Sequence, residues 1–300
     1  MNETVPPGAT AAQWLAGARP RTLPAAVSPV LVGSAVAYFA GGFSWPRALL
    51  ALVVSLALQV GVNYANDYSD GIRGTDADRV GPMRLVGSGV ASPGTVKAAA
   101  FGCFGVAAVA GLVLVVWSGQ WWLLAVGAAS IVAAWFYTGG RRPYGYLGLG
   151  ELFVFVFFGL VAVCGTTLVQ LGRVTLPALL GAIGIGTITC AVLVANNLRD
   201  IAGDTVAGKR TLATRIGAAR TRWLYVALLL VSVLMVIVLA ATSSRWALLG
   251  LLFVPVIAPA VRAVLGKAAG ADLIGVLKAT GVAELVLAAG LAVGLVLGSG

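Results

Sequence analysis

Apolar positions run through the chain in long blocks, not in the alternating or short-period patterns of a soluble fold. Blocks of roughly 18 or more apolar and small residues recur from one end to the other, and short polar segments between them hold most of the charge. As a helix, each block is long enough to cross a hydrocarbon core of about 30 Å. The pattern predicts nine membrane-spanning helices, over 24–41, 47–66, 98–117, 121–138, 151–171, 176–197, 222–242, 246–264 and 279–298. Small residues inside them (Gly102, Gly105 and Gly111; Gly181, Gly184 and Gly186) read as places where helices approach closely. The fold class read from this pattern is all-α, a polytopic membrane helical bundle.

Composition agrees. Hydrophobic residues make up 60% of the 300 and charged residues 10%, against roughly 25% charged in an ordinary soluble domain. Nine spans would take up about 180 residues. That leaves connecting loops and a short amino-terminal segment, so 1–300 reads as one transmembrane domain, with 1–23 as a cytoplasmic segment. Residues 1–23 lack the basic region and apolar core of a cleaved signal peptide. The three cysteines, Cys103, Cys164 and Cys190, all lie within apolar blocks, so no disulfide framework or CxxC metal site is present. Histidine is absent, which removes the commonest general base and transition-metal ligand.

A net charge of +10 suggests nucleic acid, but the distribution of the charges excludes it. Under the nine-span map, 17 of the 20 Lys and Arg fall on the side that carries the amino terminus; only Arg47, Arg173 and Arg245 fall on the other. Basic residues accumulate on the cytoplasmic side of membrane proteins, so the amino terminus is expected in the cytoplasm.

The ten acids are more concentrated still. Asp67, Asp70, Asp76 and Asp78 follow the second span, and Asp200 and Asp204 follow the sixth. If the helices persist out of the membrane, Asn63, Asp67 and Asp70 share one face at i, i+4 and i+7, and Asn196, Asp200 and Asp204 share another. Carboxylates stacked on a helix face repel one another unless a cation lies between them. Mg²⁺ typically takes one or two carboxylates together with substrate phosphate oxygens. Two such faces turned toward each other would hold Mg²⁺ against a lipid diphosphate, with Arg73, Arg79, Arg84, Lys209, Arg210 and Arg215 offsetting phosphate charge. The blander reading, polar helix ends with ordinary Asp-Gly turns, suits either cluster alone better than the matched pair.

A third segment, 137–151, combines Arg141 and Arg142 with Tyr137, Tyr144 and Tyr146. It is suited to an aromatic carboxylate, and equally to a positive-inside loop with an interfacial aromatic belt. Glu284 stands alone within the last span and has no evident partner.

These segments resemble the UbiA superfamily of intramembrane aromatic prenyltransferases. The resemblance runs through Ala18–Ala26, Asn63–Asp76, Arg142–Gly150, Asn196–Asp204 and Gly208–Gly217. The Arg142-Pro143-Tyr144-Gly145-Tyr146 segment and the amino-terminal stretch point to the branch that prenylates naphthoates. Gly74 stands where many members carry a third Asp, four residues past Asp70; the next acid is Asp76. The resemblance implies nine helices around a central cavity with cytoplasmic caps. It also implies Mg²⁺-dependent transfer of a polyprenyl chain from its diphosphate to 1,4-dihydroxy-2-naphthoate with loss of CO₂, in a bacterial cell membrane.

The expected catalytic residues are Asp67, Asp70, Asp200 and Asp204, which with Asn63 and Asn196 form the expected metal set. Substrate contacts are expected from Asn63, Asn66, Arg73, Arg84, Tyr137, Arg141, Arg142, Tyr144, Asn196, Lys209 and Arg210. Three other readings compete. A 4-hydroxybenzoate prenyltransferase differs only in its acceptor. A CDP-alcohol phosphotransferase requires Ala-Arg after its Asp-Gly, where Ile72-Arg73 stands here. An ion-coupled transporter would more often place its acids near the bilayer midplane, on interrupted helices.

Overall fold

A computed structural model describes residues 8–74, 83–141 and 143–299. Asp76, Asp78, Arg79 and Arg142 lie outside these residues. Among the described residues every regular element is helical. In order they are α1 (Ala11–Gly17), α2 (Pro24–Phe39), α3 (Trp45–Arg73), α4 (Pro93–Ser118), α5 (Leu123–Phe136), α6 (Gly150–Leu171), α7 (Leu176–Val206), α8 (Leu212–Thr242), α9 (Arg245–Leu265) and α10 (Gly270–Leu297).

All nine expected positions carry a helix, but they are not nine equal spans. Seven, α3, α4 and α6 to α10, are long and apolar enough to cross a membrane. An eighth span exists if Ala11–Thr22 and Pro24–Phe39, bent by 54°, are taken together. At 14 residues, α5 is shorter than the roughly 20 a perpendicular crossing requires.

Local chemistry sets the ends. Ser92 caps α4 by accepting from the Thr95 N–H, with Pro93 in the first turn, and Thr175 caps α7 in the same way through the Ala178 N–H. α3 stops at Gly74, which closes the helix in the left-handed conformation at φ 68°. Both α3 and α7 overrun their expected ends by several residues, so the acidic clusters ride on continuous helix. α8 breaks at Gly217, where φ is 77° and ψ 164°.

Lipid is as apolar as the side chains, so helix association in a membrane relies on close packing and on polar bonds between helices. α7 is central, lying against α6, α8 and α10. Gly159 of α6 faces Gly186 of α7 so closely that a Cβ on Gly159 would lie 2.7 Å from the Gly186 Cα. Gly181 sits against Val32 and Gly184 against Met235, as expected for contact glycines. Gly102 and Gly105 have nothing within 4 Å, and a Cβ on Gly111 would only reach Val54 at 4.0 Å. Those positions on α4 therefore do not mark tight helix contacts. Buried hydroxyls add bonds between helices, Thr187 to Ser232 at 2.8 Å and Tyr225 to Thr280 at 2.8 Å.

α6 departs from α-geometry over Phe155–Cys164, where it winds as a π-helix. π-segments often accompany functional sites, and here Phe157, Phe158, Val161 and Ala162 all reach the wall of a cavity.

Candidate active site

The cavity, about 1330 Å³, is enclosed by residues of α1 to α7 and α10 and of the segments between them; α8 and α9 contribute none. Its walls are largely apolar, while polar side chains gather where α3 and α7 end.

On α3, Asn63, Asn66 and Asp70 line the cavity and Asp67 does not. At 100° per residue, Asn66, Asp70 and Asn63 fall within an arc of about 60°, with Asp67 about 40° beyond it. The Asp67 carboxylate is buried and accepts from the Leu85 N–H at 2.8 Å and the Val86 N–H at 2.9 Å. It anchors the returning segment 83–91 and, unlike Asp70, does not line the cavity. The matched Asn-x-x-x-Asp motifs facing the cavity are therefore Asn66/Asp70 and Asn196/Asp200.

Asn63 lines the cavity and also donates to the Ala18 carbonyl at 2.8 Å and Thr22 Oγ1 at 2.9 Å, bracing the chain before α2. Asn66 Oδ1 accepts from Thr138 Oγ1 at 2.6 Å. Asp70 accepts from the Tyr146 hydroxyl at 2.7 Å, with Lys209 Nζ at 3.5 Å and Arg84 Nη2 at 3.6 Å. Burial and the neighbouring Asp70 charge push the Tyr146 hydroxyl above its usual range, which keeps it protonated as a donor.

On α7, Asn196, Asn197, Arg199, Asp200 and Asp204 line the same cavity. Arg199 grips the adjacent Asp200 with two bonds of 2.6 and 2.7 Å and donates to Asn196 Oδ1 at 2.9 Å. Two acidic helix ends, each with its own guanidinium or ammonium partners, thus face one chamber.

The other expected contacts divide. Tyr137 and Tyr144 line the chamber; Tyr144 donates to the Ala133 carbonyl at 2.9 Å and stacks on Phe153 at 3.9 Å between centroids. Arg84 and Lys209 line it as well. Arg73 does not: its guanidinium donates to the Thr138 and Gly140 carbonyls and lies over the Tyr146 ring, so it holds the 138–140 turn. Arg141 and Arg210 are exposed and off the cavity. Arg210 contributes its backbone N–H, which donates to the Tyr146 carbonyl at 3.0 Å. Sequence reasoning did not select Tyr146, Asn197, Arg199 or Lys278, all of which line the chamber. Tyr146 carried a signal, being one of the three tyrosines in the 137–151 segment. Lys278 carried none beyond its charge.

Among the described residues no three His, Cys, Asp or Glu side chains converge into a ready-made metal cage. That donor set suits Mg²⁺, which takes one or two carboxylates and fills the rest of its octahedron with water and substrate phosphate. Asp70, Asp200 and Asp204, with the Asn66 and Asn196 amides, offer hard oxygen donors of the right kind to one chamber.

Helical architecture, an apolar chamber and paired acidic helix ends define an intramembrane prenyltransferase, and the chain belongs to the UbiA prenyltransferase family, whose model matches residues 26–272. Among the relatives it resembles are proteins named as naphthoate prenyltransferases. It is 52% identical over 290 residues to the 1,4-dihydroxy-2-naphthoate octaprenyltransferase of Mycobacterium tuberculosis, covering 97% of this chain and 99% of that protein. It is 39% identical over 261 residues to the enzyme of the same name from Escherichia coli, covering 84% of each chain. Among solved structures, a UbiA homolog from Aeropyrum pernix K1 superposes with a TM-score of 0.68 at 15% identity, covering 91% of this chain and 97% of that one. A UbiA homolog from Archaeoglobus fulgidus bound to GPP and Mg²⁺ gives 0.64 at 14% identity, covering 95% and 99%.

Proposed function

We propose that this protein transfers a polyprenyl group from polyprenyl diphosphate to 1,4-dihydroxy-2-naphthoate, with Mg²⁺, releasing CO₂ and diphosphate and giving the prenylated dihydroxynaphthalene, demethylmenaquinol, whose oxidation to demethylmenaquinone is a separate step. The whole chain acts as one transmembrane prenyltransferase domain of nine spans in a bacterial cell membrane, with the amino terminus and the acidic helix ends cytoplasmic. The observation that carries this reading is the pairing of Asn66/Asp70 with Asn196/Asp200/Asp204 across one largely apolar chamber. The 52% identity to a named naphthoate prenyltransferase supports the choice of acceptor.

Asp70, Asp200 and Asp204, with the Asn66 and Asn196 amides, would hold Mg²⁺, which would supply Lewis-acid stabilisation of the departing diphosphate. The chain's own cations, Arg84, Lys209 and Arg199, add fixed positive charge at the same place. Tyr146 keeps Asp70 oriented through its hydrogen bond. As the C–O bond to diphosphate breaks, positive charge develops on the allylic carbon, and the apolar wall excludes the water that would quench it. The electron-rich dihydroxy ring forms the new C–C bond, and loss of CO₂ restores aromaticity. That sequence needs no strong protein base, consistent with a chain that contains no histidine.

The test is a product assay on detergent-purified protein with a prenyl diphosphate, Mg²⁺ and either 1,4-dihydroxy-2-naphthoate or 4-hydroxybenzoate. A prenylated, decarboxylated naphthalene product is expected, with no membrane gradient present. Product from 4-hydroxybenzoate alone would overturn the acceptor, and no product from either would return the transporter reading.

A further inference from the structure

Glu284 lies within α10 and is 1% exposed, yet it lines the chamber. Its Oε1 accepts from Thr189 Oγ1 at 2.8 Å, while its Oε2 has no hydrogen-bond partner. An orphaned carboxyl oxygen in a lipid-embedded bundle is costly, and such groups mark functional positions. Thr189 lies seven residues before Asn196 on α7, about 10 Å deeper into the chamber from the acidic helix ends. The pair therefore sits below the diphosphate region, in the chamber whose apolar wall includes Val192, Leu193, Leu277 and Phe157.

Of the groups entering the chamber, a polyprenyl tail has nothing to offer a carboxyl oxygen. The diphosphate, drawn to the cations at the helix ends, has no hydrogen to donate. A phenolic hydroxyl is what fits. Resting on the reading of the site given above, we infer that Glu284 Oε2 accepts a hydrogen bond from a ring hydroxyl of the aromatic acceptor. Thr189 holds the carboxyl group in the rotamer that presents this oxygen. The bond orients the ring in the chamber and raises electron density on the carbon to be alkylated. Glu284 is thus an acceptor-binding, specificity-determining residue at the membrane-side end of the site, while the cations at the helix ends serve the anionic end. A site built to bond a hydroxyl discriminates strongly against an analogue that lacks it, because its own polar group is then left unpaired.

The experiment pairs enzyme and substrate deletions. Inhibition constants of 1-hydroxy-2-naphthoate and 4-hydroxy-2-naphthoate are measured against wild-type protein, Glu284→Leu and Thr189→Val, beside the Michaelis constants of the dihydroxy acid and of the prenyl diphosphate. In wild type, one monohydroxy acid is expected to bind roughly tenfold or more weaker than the dihydroxy acid. That ratio should collapse to within about twofold in Glu284→Leu, with the prenyl diphosphate constant unchanged. Thr189→Val, which keeps the shape and the carboxyl group, should give an intermediate ratio and covers the case in which Glu284→Leu does not fold. An unchanged ratio in the variants overturns the assignment, as does a wild type indifferent to both hydroxyls. Absence of any turnover of the dihydroxy acid by wild type would instead overturn the function on which the inference rests.

Discussion

Tyr146, carried by the loop before α6, donates its phenolic hydrogen to Asp70 Oδ1 at 2.7 Å, joining positions 76 residues apart. Lys209 Nζ lies over the same ring at 4.6 Å from its centroid, and the Tyr146 carbonyl accepts from the Arg210 N–H. One side chain therefore couples the end of α3 to the segment that follows α7. Removing its hydroxyl deletes a hydrogen bond to a charged group, a change of about 1.5–3 kcal/mol. Tyr146→Phe should lower kcat/KM for the prenyl diphosphate by roughly 10- to 100-fold, with little change in thermal stability. Wild-type kinetics in that variant would show that the bond does not matter to turnover.

Asp67 and Asp70 should separate in experiment although they stand three residues apart. Asp67→Asn leaves one acceptor oxygen where two backbone N–H groups need partners. An unsatisfied buried amide costs about 1–3 kcal/mol. The variant should melt earlier yet turn over normally in its folded fraction. Asp70→Asn should keep its melting temperature and lose turnover. Melting curves and single-turnover rates on the two proteins read both halves of this contrast; equal loss of activity would return Asp67 to the metal site.

Lys209 is the ammonium nearest Asp70, and its neutralisation tests whether the cationic set serves the diphosphate. Lys209→Met should raise the KM for the prenyl diphosphate by about tenfold, the worth of one charge-assisted bond, and leave that for the aromatic acid nearly unchanged. Steady-state kinetics with each substrate varied in turn would reveal the opposite partition if Lys209 instead holds the acid.

Helix approach can be probed apart from chemistry. A Cβ on Gly159 would meet the Gly186 Cα at 2.7 Å and the Ala182 carbonyl oxygen at 2.8 Å, both backbone atoms that cannot swing aside. Gly159→Ala should destabilise by about 1–3 kcal/mol, the usual cost of overpacking. Gly105→Ala, with nothing within 4 Å, should melt at or above the wild-type temperature. Differential scanning fluorimetry in detergent distinguishes the two.

What the sequence made legible was the set of strong one-dimensional signals. Helix positions followed from block length, and both acidic clusters stood out because the chain has few other acids. The face of α3 was not legible. Asn63/Asp67 and Asn66/Asp70 are overlapping pairs with identical spacing, and only the packing of segment 83–91 against Asp67 decides between them. The fate of the arginines was equally hidden: Arg73 is drawn to two carbonyls of the 138–140 turn, whereas Arg199, next in sequence to Asp200, lines the chamber. Charge and position along the chain are alike for both. The close glycines of α7 and the open ones of α4 also look the same in sequence, because the difference lies in which helix is central.

The central claim is that the ends of α3 and α7 form one site for a Mg²⁺-bound diphosphate. Equilibrium binding of an unreactive prenyl thiolodiphosphate tests it most directly, with Mg²⁺ or EDTA present, on wild-type protein, Asp70→Asn and Asp200→Asn. Tight binding by wild type that requires Mg²⁺, and loss of that Mg²⁺ dependence in each variant separately, is the expected result. Mg²⁺-dependent binding that survives either substitution unchanged would contradict a shared site and leave the two clusters as independent features of the helix ends.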